Sequence, residues 1–281
     1  MRVALIGAGG QLATDLAPLF PDLQLLPHAA LDIVDAAAVA SALDSARPDV
    51  VINTAAYNLV DKAESEPERA FAVNAIGPAH LARYCGSRGL TLVHFSTDYV
   101  FGLEPPVPLR PWTEKDVAVP VSLYGASKLA GEHAVRMNCP RHFVVRTCGL
   151  YGHAASKVKG NFVQTMLRLA RERPELRVVS DQLCTPTWTR DVATATARLL
   201  ETEAYGLYHA TNSGECSWHA LACEAVRLAG LDVPIHPIAS SEYPTAARRP
   251  TYSRLDCSRL QGVTGMTMPS WQEAIAGYLT Q

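Results

Sequence analysis

Tyr124 and Lys128 are the residues whose types and spacing most directly suggest chemistry, because they form the single Tyr-x-x-x-Lys motif of the sequence. On a helix this spacing places the phenol and the ammonium group on one face, about 6 Å apart. A neighbouring positive charge lowers the pKa of a phenol, and such a phenol can exchange a proton with an alcohol or sugar oxygen. Thr97 ends a predicted strand and could hydrogen-bond the same oxygen. The three side chains therefore predict a proton-transfer site.

A glycine-rich segment, GAGGQLA at positions 7–13, follows the first predicted strand and opens the first predicted helix. Gly7 permits a tight turn, Gly10 lets the backbone approach a pyrophosphate, and the small Ala13 allows close packing of helix on strand. The N–H groups at the start of the helix would face the anion. An ordinary strand-to-helix turn is the alternative, but the position in the first βα unit favours dinucleotide binding.

Asp32 lies about twenty residues beyond the glycine segment, where an acidic partner of the adenosine ribose is often found. It follows the second predicted strand rather than ending it, so a solvated aspartate in a turn is an equally weighted interpretation. No arginine lies next to Asp32 in the sequence to bind a 2′-phosphate. The choice between NADPH and NADH therefore stays open.

Short apolar runs alternate with helical periods along the chain, which is typical of an α/β fold with a parallel sheet covered on both faces. We therefore predict a Rossmann-like, doubly wound sheet with a smaller C-terminal α/β lobe. Pro78 should break or bend a long helical stretch. The predicted strands are 3–6, 23–26, 50–55, 91–96, 143–146, 176–179, 206–211 and 235–238, and the predicted helices are 10–20, 35–46, 63–89, one from 122, 162–173, 218–229 and one from 270.

The domain organisation follows from the same pattern. Residues 1–160, with parts of 180–215, are predicted to form the dinucleotide-binding domain, and residues 161–281 to form most of an intertwined substrate-binding lobe. A proline-rich loop at 105–120 separates the fourth strand from the helix that carries Tyr124. Long loops at strand ends are where α/β proteins place function.

Composition excludes several classes of protein. Lys and Arg total 25 against 27 Asp and Glu, without a basic run, so neither nucleic acid nor an anionic membrane is an expected partner. Seven scattered cysteines without a Cys-x-x-Cys pair favour reduced thiols and a cytoplasmic protein. The nine histidines show no metal-ligand spacing, and the first strand begins too close to Met1 for a signal peptide. No metal site is predicted.

Glu64, Glu66 and Glu68 are interpreted as a solvated helix start.

Several longer strings narrow the class. With the glycine segment and Tyr124/Lys128, the chain resembles an extended short-chain dehydrogenase/reductase, and it is similar along essentially its whole length to the dTDP-4-dehydrorhamnose reductase family. The resemblance is carried by NTAAY from Asn53, VDKAE from Val60, STDYVF from Ser96, KLAGE from Lys128, Asn161-Phe162, Asp181-Gln182 and RRP from Arg248.

This resemblance implies hydride delivery from NADPH or NADH to the 4-keto carbon of dTDP-4-dehydrorhamnose, giving dTDP-L-rhamnose. Tyr124 would donate the proton, Lys128 would bind the nicotinamide ribose and Tyr124, and Thr97 would polarise the carbonyl. The implied binding residues are Gly7, Gly10, Gln11 and Leu12 at the pyrophosphate, Asp32 and Ile33 at adenosine, Ala55, Ala56, Tyr57 and Asn58 along the cofactor, and Thr97, Asp98, Gly149, Asn161 and Arg249 at the nucleotide sugar. Some relatives dimerise, so a homodimer is also considered.

The chain departs from the family at two of these positions. Gly149 stands where the family has a tryptophan against the sugar, and Asn58 stands where it has a hydroxyl residue. The exact keto sugar therefore stays open, and another nucleotide-linked 4-keto sugar is an alternative substrate. A non-catalytic, dinucleotide-binding regulatory subunit is a third hypothesis. Arg248 and Arg249 are interpreted either as surface residues or as a clamp for the diphosphate.

Overall fold

A six-stranded parallel sheet, ordered β10-β5-β4-β3-β1-β2, forms the centre of the computed structural model, which describes residues 1–154 and 160–280. Strand β2 lies on one side of β1 and β3 on the other, so the strand order reverses between β1 and β3, as in doubly wound folds. The strands are β1 (Val3–Ile6), β2 (Leu23–Leu26), β3 (Val50–Asn53), β4 (Thr91–Thr97), β5 (His142–Thr147), β6 (Leu150–Tyr151), β7 (Leu176–Val179), β8 (Leu183–Cys184), β9 (Thr187–Trp188), β10 (Gly206–His209), β11 (Cys216–Ser217) and β12 (Ile235–Ile238).

Helices cover both faces of this sheet. Neighbouring residues of each central strand point to opposite faces, so Leu5 and Ile52 pack in one core while Ala4 and Val51 pack in the other. The helices are α1 (Gln11–Leu16), α2 (Ala36–Ala46), α3 (Val60–Ala63), α4 (Pro67–Phe71), α5 (Gly77–Arg88), α6 (Leu123–Asn138), α7 (Phe162–Glu172), α8 (Thr189–Leu200), α9 (Trp218–Leu228), α10 (Ser258–Thr264) and α11 (Trp271–Leu279). The predicted fold class is confirmed.

The long helical stretch before β4 is interrupted, as predicted, but its main irregularity precedes Pro78. Residues Ala72–Ile76 form a π-helical segment between α4 and α5. There the carbonyl oxygen of Asn74 lies against Gly131 of α6, where a Cβ atom would collide with it. The glycine of KLAGE therefore lets α6 approach this segment closely.

The C-terminal part differs from prediction in its strand pairing and its helices, and the two-residue strands β8, β9 and β11 were not predicted. Strand β7 forms where expected, but it pairs with β12 in a separate two-stranded sheet, and β10 completes the central sheet. Helices α8 and α10 were missed. Helix α8 follows the short strand β9 and is amphipathic, with Val192, Ala195, Thr196 and Leu199 on its buried face, so its helical period was present in the sequence and was overlooked. No helix in the described ranges is long and apolar enough to cross a membrane.

Candidate active site

The glycine segment forms an open turn between β1 and α1. Gly7 adopts a φ of +80°, and a Cβ atom there would lie 2.6 Å from the backbone nitrogen of Ala55. Gly9 also has a positive φ, of +99°, and is exposed. Gly10 provides no side-chain cap for α1, so the first N–H groups of this helix have no side-chain acceptor. This backbone fits the phosphates of a dinucleotide. Gly9 was not singled out from the sequence, although GAGG contains it.

The other residues predicted at the cofactor lie around this turn, and their roles stay predictions. The Gln11 side-chain amide donates to the carbonyl oxygen of Leu150 at 3.2 Å, and Leu12 is buried in the core. The exposed Asp32 carboxylate accepts the N–H of Val34 at 3.0 Å, which is a turn contact and leaves its second oxygen available. Ile33 is buried, so only its backbone can face a ligand.

Residues 55–58 follow β3 at the carboxyl edge of the sheet. Ala56 and Asn58 are exposed, Ala55 is half-buried, and Tyr57 is buried. The hydroxyl of Tyr57 donates to Glu66 at 2.8 Å. Glu66 therefore supports this segment, and the interpretation of Glu66 as merely solvated was wrong.

Tyr124 lies in the first turn of α6, which Ser122 caps by accepting the N–H of Gly125. Any Cβ at residue 125 would collide with the carbonyl oxygen of Tyr99, so this glycine lets the helix pack tightly there. Glu64 accepts the N–H of Leu123 at 2.8 Å and so helps to hold the start of α6. The Glu64 carboxylate therefore has a structural partner, contrary to the sequence interpretation.

Burial raises the pKa of Tyr124 to about 12, and a hydrogen bond with Thr97 opposes this rise. The lowering expected from Lys128 does not occur in the chain alone, because removal of the phenol from water dominates. Its phenol is thus protonated at neutral pH. The Lys128 ammonium donates to the carbonyl oxygen of Phe95 at 2.6 Å. Burial lowers the pKa of Lys128 to about 8, while the negative charge of Glu132 opposes that shift.

Thr97 and Asp98 lie at the carboxyl end of β4, facing the start of α6. The Thr97 hydroxyl donates to Asp98 at 3.0 Å, and the Cys148 thiol lies 3.0 Å from the other oxygen of the same carboxylate. Burial raises the pKa of Asp98, whereas hydrogen bonds from Ser253, Cys148 and Thr97 lower it. The structure thus brings Thr97, Asp98 and Tyr124 together.

A buried ion pair lies behind these residues. Arg146 donates from Nε and Nη2 to the two oxygens of Glu132, at 2.8 and 2.7 Å, and Ser96 donates to Glu132 at 2.5 Å. These contacts connect α6, which carries Lys128, with β4, which ends at Thr97, and with β5, which ends one residue before Cys148. Glu132 belongs to the KLAGE string, but its pairing with Arg146 was not predicted from the sequence.

A cavity of about 900 Å³ opens beside the C-terminal segments. Arg248 and Arg249 line it, and Arg249 pairs with Asp61 at 3.0 Å. Trp218 and Phe162 form an aromatic part of its wall. Their ring centroids lie 4.8 Å apart, and their ring planes are inclined at 52°.

Gly149 lies beside the Trp218 ring of this cavity, whereas Asn161 has a structural role at the start of α7. Gly149 has a φ of +52°, and a Cβ there would lie 3.3 Å from Cη2 of Trp218. The indole of Trp218 therefore adjoins the space beside Gly149. Asn161 caps α7 by accepting the N–H of Gln164 at 2.9 Å, and its amide donates to the carbonyl oxygen of Gly152 at 2.9 Å. Its side chain thus has structural partners, and a contact with substrate stays a prediction.

The doubly wound sheet, the open glycine turn and the grouping of buried Thr97 and Lys128 with half-buried Tyr124 define a dinucleotide-dependent oxidoreductase of the short-chain dehydrogenase/reductase type. The chain belongs to the family described as the RmlD substrate binding domain, whose model matches residues 1–281.

Its relatives match over almost their full lengths. The dTDP-4-dehydrorhamnose reductase of Sinorhizobium fredii is 41% identical, covering 98% of this chain and 95% of that protein. The dTDP-4-dehydrorhamnose reductase of Salmonella typhimurium is 37% identical, covering 100% of this chain and 98% of that protein. A crystal structure of dTDP-4-dehydrorhamnose reductase from Bacillus anthracis in complex with NADP superposes with a TM-score of 0.94, at 36% identity, over 99% of this chain and 98% of that one.

Proposed function

We propose that the protein is a reductase that uses NADPH or NADH to reduce the 4-keto group of a nucleotide-linked 6-deoxy sugar, converting dTDP-4-dehydrorhamnose to dTDP-L-rhamnose. The observation that carries the proposal is the placement of a protonated Tyr124 against Thr97, with the buried Lys128 on the same helix. The family membership supports the same reaction.

The reaction requires one hydride and one proton, and a nicotinamide cofactor, when bound, would supply the hydride. Tyr124 delivers the proton to the oxygen that develops negative charge, and burial keeps its phenol protonated until that moment. Thr97 donates a hydrogen bond to the same oxygen by turning from Asp98. Lys128 provides a positive charge that stabilises the phenolate left after proton transfer.

The cofactor would lie along the carboxyl edge of the sheet. The backbone at Gly7, Gly10, Gln11 and Leu12 would hold its pyrophosphate, Asp32 and Ile33 would hold the adenosine, and residues 55–58 would pass along its middle. Lys128 would bind the nicotinamide ribose. The exposed loop, the two glycines with positive φ and the uncapped helix start support this placement.

The nucleotide part of the substrate would occupy the cavity beside Arg248 and Arg249, with the sugar reaching Asp98 and Gly149. Guanidinium groups suit a diphosphate, and the aromatic pair Phe162/Trp218 suits a flat base or a sugar face. This assignment corresponds to a dinucleotide domain of residues 1–160 with parts of 180–215, and a substrate lobe within 161–281.

Another nucleotide-linked 4-keto sugar is the second candidate substrate, and one observation favours keeping it. The pocket beside Gly149 takes its aromatic surface from Trp218 on α9 rather than from its own loop. A wall built from a different element presents a different shape to the sugar.

Steady-state oxidation of NADPH and NADH with a panel of nucleotide-linked 4-keto sugars tests the proposal. We expect turnover with dTDP-4-dehydrorhamnose, and a loss of about a hundredfold or more in Tyr124→Phe with cofactor affinity retained. Full turnover in Tyr124→Phe would contradict the mechanism. Tight cofactor binding without turnover on any keto sugar would favour a regulatory subunit instead.

The proposal also includes a cytoplasmic location and a homodimer. Seven free cysteines, five of them buried, support a reducing compartment. Light scattering on the purified chain tests the dimer.

A further inference from the structure

The carboxylate of Asp61 joins the cofactor side of the molecule to one wall of the cavity. Asp61 lies in α3, directly after the segment that contains Tyr57. One of its oxygens accepts the N–H of Ala247 at 3.2 Å, and the other accepts Nη2 of Arg249 at 3.0 Å. A single side chain thus fixes both a backbone group and a guanidinium of the same distant segment.

This wall segment, residues 244–250, has few other attachments. Within the described ranges, its hydrogen bonds to the rest of the molecule go only to Asp61 and to the hydroxyl of Tyr99. Ala247 is buried, whereas Arg248 is exposed and Arg249 is 28% exposed at its side chain. The position of the two arginines in the cavity wall therefore depends strongly on Asp61.

The guanidinium of Arg249 retains capacity for an anion. Its Nη1 lies 3.5 Å from the hydroxyl of Tyr99, which is a weak contact. Its Nε is buried and has no hydrogen-bond partner in the described part of the chain. Asp61 contacts a single nitrogen, so donors of the planar fork are left for a second acceptor. A phosphate group binds such a fork strongly.

The same guanidinium lies close to the reacting centre. The ring of Tyr99 meets that of Tyr124 edge to face, with the centroids 5.6 Å apart. Arg249 is thus separated from the proposed proton donor by one aromatic ring. An anion bound by Arg249 would be held at a fixed distance from Tyr124.

We propose that Asp61 is a positioning residue for substrate binding, which orients Arg249 and the 244–250 wall to receive the diphosphate of the nucleotide sugar. This inference rests on the proposed function. Asp61 acts through Arg249 and does not touch the substrate. The carboxylate organises the arginine before the ligand arrives, so less ordering is required on binding.

The experiment compares the full-length chain with its Asp61→Asn variant. The asparagine can still accept the N–H of Ala247, but it lacks the charge that holds Arg249. We expect the KM for the keto sugar and the Kd for dTDP, used as the probe, each to rise about fivefold, which is the upper range for a partly exposed ion pair. We expect kcat and the Kd for NADPH to stay within about twofold of the wild type, because Asp61 lies outside the reacting centre.

Asp49→Asn is the matched control, since Asp49 also accepts one backbone N–H and one guanidinium, both from Arg2, outside the proposed site. This variant should leave KM and the Kd for dTDP unchanged. In an Arg249→Gln background, Asp61→Asn should cause no further loss of affinity. An unchanged or lower Kd for dTDP in Asp61→Asn, or a full additional loss in the double variant, would overturn the inference. A wild-type chain that binds dTDP but reduces no keto sugar would instead overturn the proposed function.

Discussion

The side-chain amide of Asn74 pairs with both backbone polar groups of Tyr57: its oxygen accepts the Tyr57 N–H at 2.8 Å, and its nitrogen donates to the Tyr57 carbonyl oxygen at 2.9 Å. The same nitrogen donates to the hydroxyl of Ser127 at 3.0 Å, and that hydroxyl donates to the carbonyl oxygen of Tyr124 at 2.7 Å. One buried amide therefore connects the segment proposed to bind the cofactor with the helix that carries the proposed proton donor.

Replacement of Asn74 by alanine should weaken both the fold and cofactor binding. The backbone groups of Tyr57 would lose their partners in a buried setting, which costs about 1 to 3 kcal/mol for each unsatisfied group. We expect the free energy of unfolding to fall by about 3 kcal/mol, and the Kd for NADPH to rise. Urea denaturation and fluorescence titration measure the two effects. Asn138→Ala, which removes one contact at the end of α6, is the control, and equal losses in both variants would contradict the argument.

The alkaline limit of activity should report on Lys128. Burial lowers its pKa to about 8, so the charged form predominates at neutral pH and is lost as the pH rises through that value. Tyr124, with a pKa of about 12, stays protonated over the same range. We therefore expect kcat/KM for the keto sugar to fall above about pH 8 with one ionisation.

Lys128→Arg provides the test of this assignment, because a guanidinium stays charged throughout the alkaline range. Its absolute rate should be lower, since the planar group cannot reproduce the contact of the ammonium with Phe95. The alkaline fall should nevertheless disappear from the pH profile. An identical alkaline limb in the variant would assign the ionisation to another group.

The sheet, the glycine turn and the proximity of Tyr124 to Thr97 could be predicted from the sequence because their signals are local. Apolar strands, GAGG and Tyr-x-x-x-Lys each occupy a few consecutive residues. The contacts of Asn74 were not predictable in this way, because its partners Tyr57 and Ser127 are 17 and 53 residues distant. A polar residue within a predicted helical face was the only available signal. The predicted lowering of the pKa of Tyr124 was wrong, because the Tyr-x-x-x-Lys spacing indicates a neighbouring charge but does not reveal that the phenol is buried.

The buried pair of Glu132 and Arg146 should be essential to stability. The side chains are 1% and 3% exposed, and loss of one partner leaves the other charge unpaired in the interior. We expect Glu132→Gln to lower the free energy of unfolding by about 3 to 5 kcal/mol. Urea denaturation at neutral pH measures this change.

A more exposed pair of similar geometry serves as the reference for that measurement. Arg227 contacts both oxygens of Glu224 on α9, at 2.8 and 2.7 Å, but the two side chains are 68% and 23% exposed. Glu224→Gln should cost less than about 0.5 kcal/mol, because water replaces the lost contact. Comparable losses in the two variants would show that burial does not determine the cost.

Trp218 should influence recognition of the sugar more than that of the cofactor. Its indole lies on the cavity wall against Phe162 and next to Gly149, on the substrate side of the molecule. Trp218→Ala would remove this aromatic surface, so we expect the KM for dTDP-4-dehydrorhamnose to rise by about fivefold or more, while the Kd for NADPH stays unchanged.

The matched control for this substitution is His219→Ala, the next residue of α9, whose imidazole contacts the carbonyl oxygen of Ile235. This variant changes the same helix, but His219 does not line the cavity. Its KM for the keto sugar should therefore equal that of the wild type. If Trp218→Ala changes neither KM nor the ranking of substrates across the panel, the indole is a packing residue and the sugar lies elsewhere.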